Sequence, residues 1–521
     1  METRSAKRKK LLIINAEHDH QGDHQRISED RISNLPDVIL HHILFLLPIK
    51  SIAQTSVLSK RWRYLWSSFP DLDFNTMEPV ISSSKKIKIN TNGQKRVHSP
   101  IAKGMDFVSQ VLGHRDKHSD IRILRFRAVV SFSRLNGLIR RAVRHNVQEL
   151  DVEVSTHDYF NFPRCIIACE SLRIFKLKSC YPGFRLPPTI ILKSGFQSLH
   201  TLSLSLVILY QQRSLLDLFT DPSFPLLKKL NLDACFGLKH LHVSCRGLEE
   251  LTLENCFQLN DLHISGGKME RLRVASCFDA YSVSSWIKID APRLEIVVWE
   301  YNAITENSCV ENLTSLHEAS IGFFVLHEDM SAAKLQSVSN FLSGFSHAQC
   351  LTLESQCVEI VSKNKQFAGV LLHPFDNLNT LELRTGFNKH NIPGLACLFR
   401  SSPTLHTLII KIIDDYKTER RQWNGDLWDL SSSEEERYWE SQSQILKSFL
   451  HHLKVVKIHG FLACENDISL AKFLLKHGRV LQEMTVFSGH YNSRYSLRRE
   501  KIKSQMMGFS RASSNAKIAF Q

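Results

Sequence analysis

Residues able to do chemistry are spread thinly along this chain, at spacings that suit no catalytic or metal site. Three of its 12 cysteines, Cys235, Cys256 and Cys277, recur every 21 residues, and each is followed by a phenylalanine: Phe236, Phe257 and Phe278. A zinc site needs paired thiols such as Cys-x-x-Cys. The nearest approach is Cys165 and Cys169 with Cys180 beyond, which argues against a metal. His317-Glu318 and His327-Glu328 lack the second histidine of a His-Glu-x-x-His helix. There is no P-loop, no Rossmann glycine fingerprint and no Gly-x-Ser-x-Gly elbow. Glycine is only 21 of 521 residues, so phosphate-cradling loops are scarce. Neither catalysis nor a cofactor is expected. Asn312-Leu313-Thr314 is a glycosylation sequon, read as incidental for want of a secretory leader.

Hydrophobic residues are 43% and charged residues 23%, an ordinary globular balance. The length suits three or four domain-sized units, or one long repetitive one. The apolar run Leu11 to Ile14 is too short for a signal-peptide core. The most apolar stretch elsewhere, Leu202 to Tyr210, falls short of a membrane span. The expectation is an intracellular protein with reduced thiols and no membrane association. The formal charge of +14 suits nucleic acid, acidic proteins or anionic surfaces. Its basic residues, however, concentrate in the N-terminal tail, a linker and the C-terminal stretch. In the tail, residues 1–29, Lys7, Arg8, Lys9 and Lys10 form a basic cluster of nuclear-import type. Nucleus and cytoplasm are both expected compartments.

The elements that must position any interacting side chains begin with residues 30–74. A first helix is expected from Leu35-Pro36, with proline in the first turn, where its missing N–H costs nothing. Leu35, Ile39, Ile43 and Leu46 form one stripe at helical spacing, and Pro48 stops the helix. A second short helix is expected from Lys50 to Ser56. Ser59 caps a third, which carries Trp62 and Trp66 on one face. Three helices this short cannot bury so much apolar surface, so one side needs a partner. In order, Leu35-Pro36, Leu47-Pro48, Ser56-Val57-Leu58-Ser59-Lys60-Arg61-Trp62 and Trp66 resemble an F-box of the plant type. The resemblance implies docking on a Skp-type adaptor, and through it on a cullin-RING ligase. Leu35, Pro36, Ile39, Ile43 and Leu46 are the adaptor contacts it implies. Val57, Leu58, Trp62, Leu65 and Trp66 are expected to share that duty with the small core.

Residues 75–104 read as a basic flexible linker, and a helical pattern restarts at 105–112. From about residue 121 a Leu-x-x-Leu-x-Leu row recurs. Clear instances are Val147/Leu150/Val152, Leu172/Phe175/Leu177, Leu199/Leu202/Leu204, Leu227/Leu230/Leu232, Leu248/Leu251/Leu253, Leu378/Leu381/Leu383 and Leu405/Leu408/Ile410. Between Cys235 and Cys277 a half-way row repeats too: Leu238/Leu241/Val243, then Leu259/Leu262/Ile264. A 21-residue period lies in the leucine-rich-repeat range, and two rows per period predict a strand on each side of the coil. The 27-residue intervals from 172 to 199 and from 378 to 405 leave room for a helix or 3₁₀ turn opposite the strand. The three cysteines are expected at the small inward position after each strand.

Residues 162–188 resemble the first repeats of plant F-box leucine-rich-repeat proteins, and residues 450–487 resemble their FBD region. In that second stretch Leu453/Val456/Ile458 and Leu481/Met484/Val486 predict strands around a helix with Leu470, Phe473 and Leu474 inward. The fold class expected is α/β: a small N-terminal three-helix F-box, then a curved, irregular leucine-rich-repeat solenoid over 105–413. A charged loop with Trp423, Trp428 and Trp439 over 414–440, expected either to fold back on the scaffold or to offer a contact site, and an FBD-like cap and tail over 441–521 complete it. The tail is expected to hold a basic helix and a last strand from Ala516 to Phe520.

The resemblance implies a substrate-recognition subunit of an SCF-type ubiquitin ligase that makes no bonds itself. It would hold a target close to the charged conjugating enzyme. The alternative is a repeat scaffold or nucleic-acid-associated protein with no ligase role. Against nucleic acid, no helix-turn-helix, zinc-finger or RRM signature is present. The target protein cannot be read from the chain.

Overall fold

Proline sets the entry to both of the first two helices. Pro36 sits immediately before helix α1, Asp37–Phe45, at φ −58° and ψ 149°. Its carbonyl accepts from the Ile39 and Leu40 amides at 3.0 and 3.1 Å. It is therefore the cap residue, one place earlier than the first-turn position the sequence suggests. Pro48 repeats the arrangement before α2, Ile49–Thr55. Ser59 caps α3, Lys60–Ser68, by accepting from the Trp62 amide. The Arg61 guanidinium donates to Asp37 Oδ1 at 2.6 and 2.8 Å and also to the Leu35 carbonyl, tying the start of α3 to the start of α1.

The computed structural model describes residues 32–521 apart from 33, 76–99, 181, 194, 210–217, 282–283, 326–330, 364–373, 387–390, 414–433, 462–464 and 489–495. The Lys7–Lys10 cluster, most of the 75–104 linker, Trp423 and Trp428 thus lie outside the described residues. The chain divides into two units after Phe69. The first closes a small core from Leu40, Leu44, Ile52, Trp62, Leu65 and Phe69.

In the second unit, buried residues alternate with partly exposed ones along strands such as Glu149–Ser155, Glu250–Glu254 and Thr380–Thr385, as a half-buried strand requires. Among the described residues, 18 strands make one parallel sheet and 5 make a second. Through the 21-residue repeats coil follows coil in register, Leu230 pairing with Leu251 and Leu251 with Leu272, and the register shifts between Trp299 and Asn302 and between His459 and Phe461. The second sheet holds His240–Ser244 and Asp261–Ser265, the half-way rows of the 21-residue repeat. Asp71–Asp73, read from sequence as the end of the helical segment, is instead a strand of this unit, paired with Ile123–Arg125. Leu72 is fully buried there, and a backbone at the edge needs a ladder partner. The helix read as restarting at 105 begins at Pro100.

Tight corners connect the two sheets. Ala234, Asn255, Ser276 and Tyr301 take φ between 51° and 56°, and Cys235, Cys256, Cys277 and Asn302 follow them inward. All three cysteines are buried here as free thiols. Asn302 does what a thiol cannot. Its Oδ1 accepts from the Cys277 amide at 2.8 Å, and its Nδ2 donates to the Val274 carbonyl at 2.8 Å.

In the longer coils before and after the second sheet, helices stand opposite the strands. Ile392–Arg400 fills the 27-residue interval before Leu405, and the five-residue helix Thr189–Lys193 fills the one before Leu199. The stretch read as a loop over 414–440 ends in a helix, Glu434–Gln442. Its Trp439 is fully buried, stacked on Phe399 and Phe473 at 6.0 and 5.6 Å. That apolar docking is what organises residues whose charge density suggested a loop. The FBD-like region runs strand Val455–Phe461, helix Glu465–His477, strand Glu483–Ser488, with Leu470, Phe473 and Leu474 buried. Lys517–Phe520 adds a final strand beside Glu483–Val486.

Candidate functional site

Helix α1 is apolar almost all round, so its periodicity could not say which stripe faces inward. Leu40 and Leu44 take the core. The opposite stripe, Val38, Ile39, His42, Phe45 and Leu46, is left exposed at i, i+4 and i+7 spacing. Val38 and Leu46 are each 76% exposed. Between α2 and α3 the turn presents Val57 at 82% and Leu58 at 65%. Such large aliphatic groups facing water in a unit this small mark a surface for a partner.

The expected adaptor contacts therefore divide. Pro36, Ile39, Leu46, Val57 and Leu58 are exposed. Leu35, Ile43 and Trp66 are half-buried and pack against the small core. Trp62 and Leu65, at 7% and 0% exposure, belong to that core and offer no surface, which corrects their expected share in docking. Trp62 points inward because its amide is fixed by the Ser59 cap, and Leu65 lies one turn along the same face. Val38, Phe45 and the exposed Tyr64 were missed. The signal available for Val38 and Phe45 was their spacing of seven, parallel to Ile39 and Leu46.

On the long sheet the solvent-facing side chains form charge ladders across neighbouring strands. Arg125 bridges Asp73 and Glu149 at 3.3 and 2.6 Å. Glu250 takes Lys229 and Arg271, both at 2.9 Å. Hydrogen bonding from Lys229 holds the Glu250 carboxyl below its usual range. Arg273 reaches Glu254 and Glu300 at 2.6 and 3.3 Å, and its hydrogen bond to Glu254 raises it further. Arg384 reaches Glu354 and Glu382. Exposed pairs of this kind add little stability but fix side-chain positions on a broad polar face. Burial pushes the thiols of Cys245 and Cys357 up to about 12, so they are protonated and unreactive. Among the described residues no group of three His, Cys, Asp or Glu side chains is placed to hold a metal ion. What these surfaces offer chemically is shape, apolar contact and charge.

Comparison with known proteins agrees with both units. The F-box domain model matches residues 32–73. The model described as At1g61320/AtMIF1, LRR domain, matches residues 237–519, and that described as FBD-associated F-box protein At5g56370, LRR repeats, matches residues 135–297. No catalytic family is among these matches. The putative F-box/FBD/LRR-repeat protein At4g03220 of Arabidopsis thaliana is 50% identical over 521 residues, 100% of both chains. From the same plant, the putative F-box/FBD/LRR-repeat protein At3g59240 is 27% identical over 494 residues, 92% of this chain and 86% of its own. F-box/LRR-repeat protein 25, also from Arabidopsis, is 33% identical over 225 residues, 42% of this chain and 73% of its own. With its N-terminal three-helix unit, its coils of parallel strand and its closing strand–helix–strand block, the chain belongs to the F-box/FBD/LRR-repeat protein family.

Proposed function

We propose that this protein is the substrate-recognition subunit of an SCF-type ubiquitin ligase. Helix α1 and the α2–α3 turn dock on a Skp-type adaptor, and the long parallel sheet holds the protein to be modified. The observation that carries this reading is the exposed aliphatic stripe Val38, Ile39, Leu46, with Val57 and Leu58, on a unit whose own core is already complete. The chain itself makes and breaks no covalent bond. It contributes proximity, by keeping target lysines near a charged conjugating enzyme that the adaptor and cullin bring.

The test is co-purification with a recombinant Skp-type adaptor, wild type beside Leu46→Ala/Val57→Ala. Both side chains point to water, so the double variant should fold. Removing their buried methyl and methylene groups from an interface costs about 2 kcal/mol or more, about thirtyfold in affinity. Absence of adaptor binding by folded wild-type protein would sink the ligase role and leave a repeat scaffold. Nucleus and cytosol both suit this function. A fluorescent fusion in which Lys7, Arg8, Lys9 and Lys10 become alanine tests import, and an unchanged nuclear signal would dismiss the cluster.

A further inference from the structure

Charge in the three-helix unit is one-sided. Between residues 32 and 69 the only carboxylate is Asp37, against Lys50, Lys60, Arg61 and Arg63. Arg61 is taken up by Asp37 Oδ1 and the Leu35 carbonyl. Lys50, Lys60 and Arg63 are exposed, and none of the three has a carboxylate partner among the described residues. On the long sheet, by contrast, Arg125, Arg273 and Arg384 each lie between two carboxylates. Lys50 is the second residue of α2, and Lys60 is the first of α3. The N-terminal end of a helix favours negative charge, so neither lysine is placed to stabilise its own helix.

Backbone geometry sets both lysines at the margins of the exposed aliphatic stripe. Helix α1 presents that stripe from Val38 to Leu46, a span of about 12 Å at the helical rise. By bonding Asp37, Arg61 holds the start of α3 against the start of α1, so Lys60 stands near the Val38 end. Two residues before Lys60 is Leu58, itself exposed. At the other end, Leu46 and Pro48 lead straight into α2, which places Lys50 four residues past Leu46. The Val57 and Leu58 amides donate to the Gln54 and Thr55 carbonyls at 3.4 and 3.0 Å, carrying the helical turn past the end of α2. Lys50, Gln54 and Val57 therefore share one side of that helix, at i, i+4 and i+7, and all three are exposed. Arg63 and Tyr64 lie one turn beyond Lys60 on the exposed side of α3, opposite Trp62 and Leu65. An apolar stripe edged by unpaired cations, with its one carboxylate already neutralised, complements an apolar surface edged by carboxylates and opposes a basic one.

We propose that Lys50, Lys60 and Arg63 are the cationic rim of the docking stripe, and that the adaptor surface it meets is an apolar cleft bordered by carboxylates. The adaptor's identity rests on the receptor reading above; the sign of its charge is what the rim adds. Rim cations keep much of their water in a complex, so they act chiefly by steering the encounter, while Leu46 and Val57 hold the complex together.

The test follows association and dissociation of a recombinant Skp-type adaptor on the immobilised full chain, by surface plasmon resonance at about 50 and about 500 mM salt. Wild-type association should slow about tenfold as salt rises, with dissociation changed less. Lys50→Glu/Lys60→Glu should slow association about tenfold or more at low salt, and the deficit should shrink at high salt. Both changes put a carboxylate in the first turn of a helix, so the variant should melt no lower than wild type. Leu46→Ala/Val57→Ala should instead speed dissociation and leave the salt dependence of association as in wild type. Lys239→Glu/Lys268→Glu makes the same change of net charge at exposed positions of the second unit, and should leave association within about twofold. Wild-type association that ignores salt, an unchanged rate for Lys50→Glu/Lys60→Glu, or an equal loss for Lys239→Glu/Lys268→Glu would overturn the rim and leave the receptor reading intact. No binding by folded wild-type protein at either salt would overturn both.

Discussion

Replacing Asn302 by alanine should destabilise the strand stack far more than removing one small polar group suggests. Asn302 is fully buried, and its side chain serves three backbone groups: the Cys277 amide at 2.8 Å, the Val274 carbonyl at 2.8 Å and, weakly, the Phe278 amide at 3.4 Å. Alanine strands at least two of these where Cys277 and Val274 are both 0% exposed. Each orphaned buried group costs about 1–3 kcal/mol, so a loss of about 4 kcal/mol is expected. Asn302 is not itself one of the left-handed residues, so no backbone strain is confounded with that loss. The assay is urea unfolding followed by circular dichroism and tryptophan fluorescence, beside Thr252→Ala on the exposed face, which should cost under about 0.5 kcal/mol. Because coils stack in one dimension, the transition of the variant should also broaden as neighbouring coils uncouple. A loss under about 1 kcal/mol, with the slope unchanged, would refute the reasoning that this side chain is the internal lock of the corner.

Other outcomes follow from the same geometry. Leu65→Ala should cost about 2–5 kcal/mol of stability in the F-box unit, whereas Val57→Ala should leave stability within about 0.5 kcal/mol and weaken adaptor capture; equal thermal shifts would contradict the division between core and docking surface. Thiol labelling mapped by mass spectrometry should modify the exposed Cys180 and Cys350 in the native protein and reach Cys235, Cys245, Cys256, Cys277 and Cys357 only in denaturant. Native labelling of the buried set as fast as Cys350 would show that the stack opens readily. Burial lowers His145, His263 and His459 below their ordinary 6.5, helped at His263 by His242 and at His459 by Lys411. Depressed histidines protonate more readily when unfolded, so their contribution is whole above pH 6.5 and declines as pH falls below it. The melting temperature should therefore drop on going from pH 7.5 to 5.5, before the low-titrating Glu250 and Glu382 respond. A flat profile across that range would count against the burial assigned to these rings.

Much of the architecture was legible because a solenoid repeats a local rule. Each coil must bury the same side, so rows such as Leu227/Leu230/Leu232 declare their strands without long-range information. The 21-residue spacing of Cys235, Cys256 and Cys277 announced both the period and the inward corner, and the half-way rows announced the second sheet. Prolines and a serine at helix entries, being backbone constraints, gave the F-box helices to within a residue or two. Less legible were the coils between Phe278 and Leu378, where Trp299 and Asn302 replace the regular leucines and thiols at inward positions.

Only tertiary structure decided which apolar residues are spent on the core. Along α1, hydrophobicity does not distinguish Leu40 and Leu44 from Val38 and Leu46; the packing of Trp62, Leu65 and Phe69 against one side does. For the same reason Trp439, written in a densely charged stretch, is among the most buried side chains, because Phe399 and Phe473 from other elements close over it. Periodicity records which residues share a face; which face meets water is settled by what packs against it.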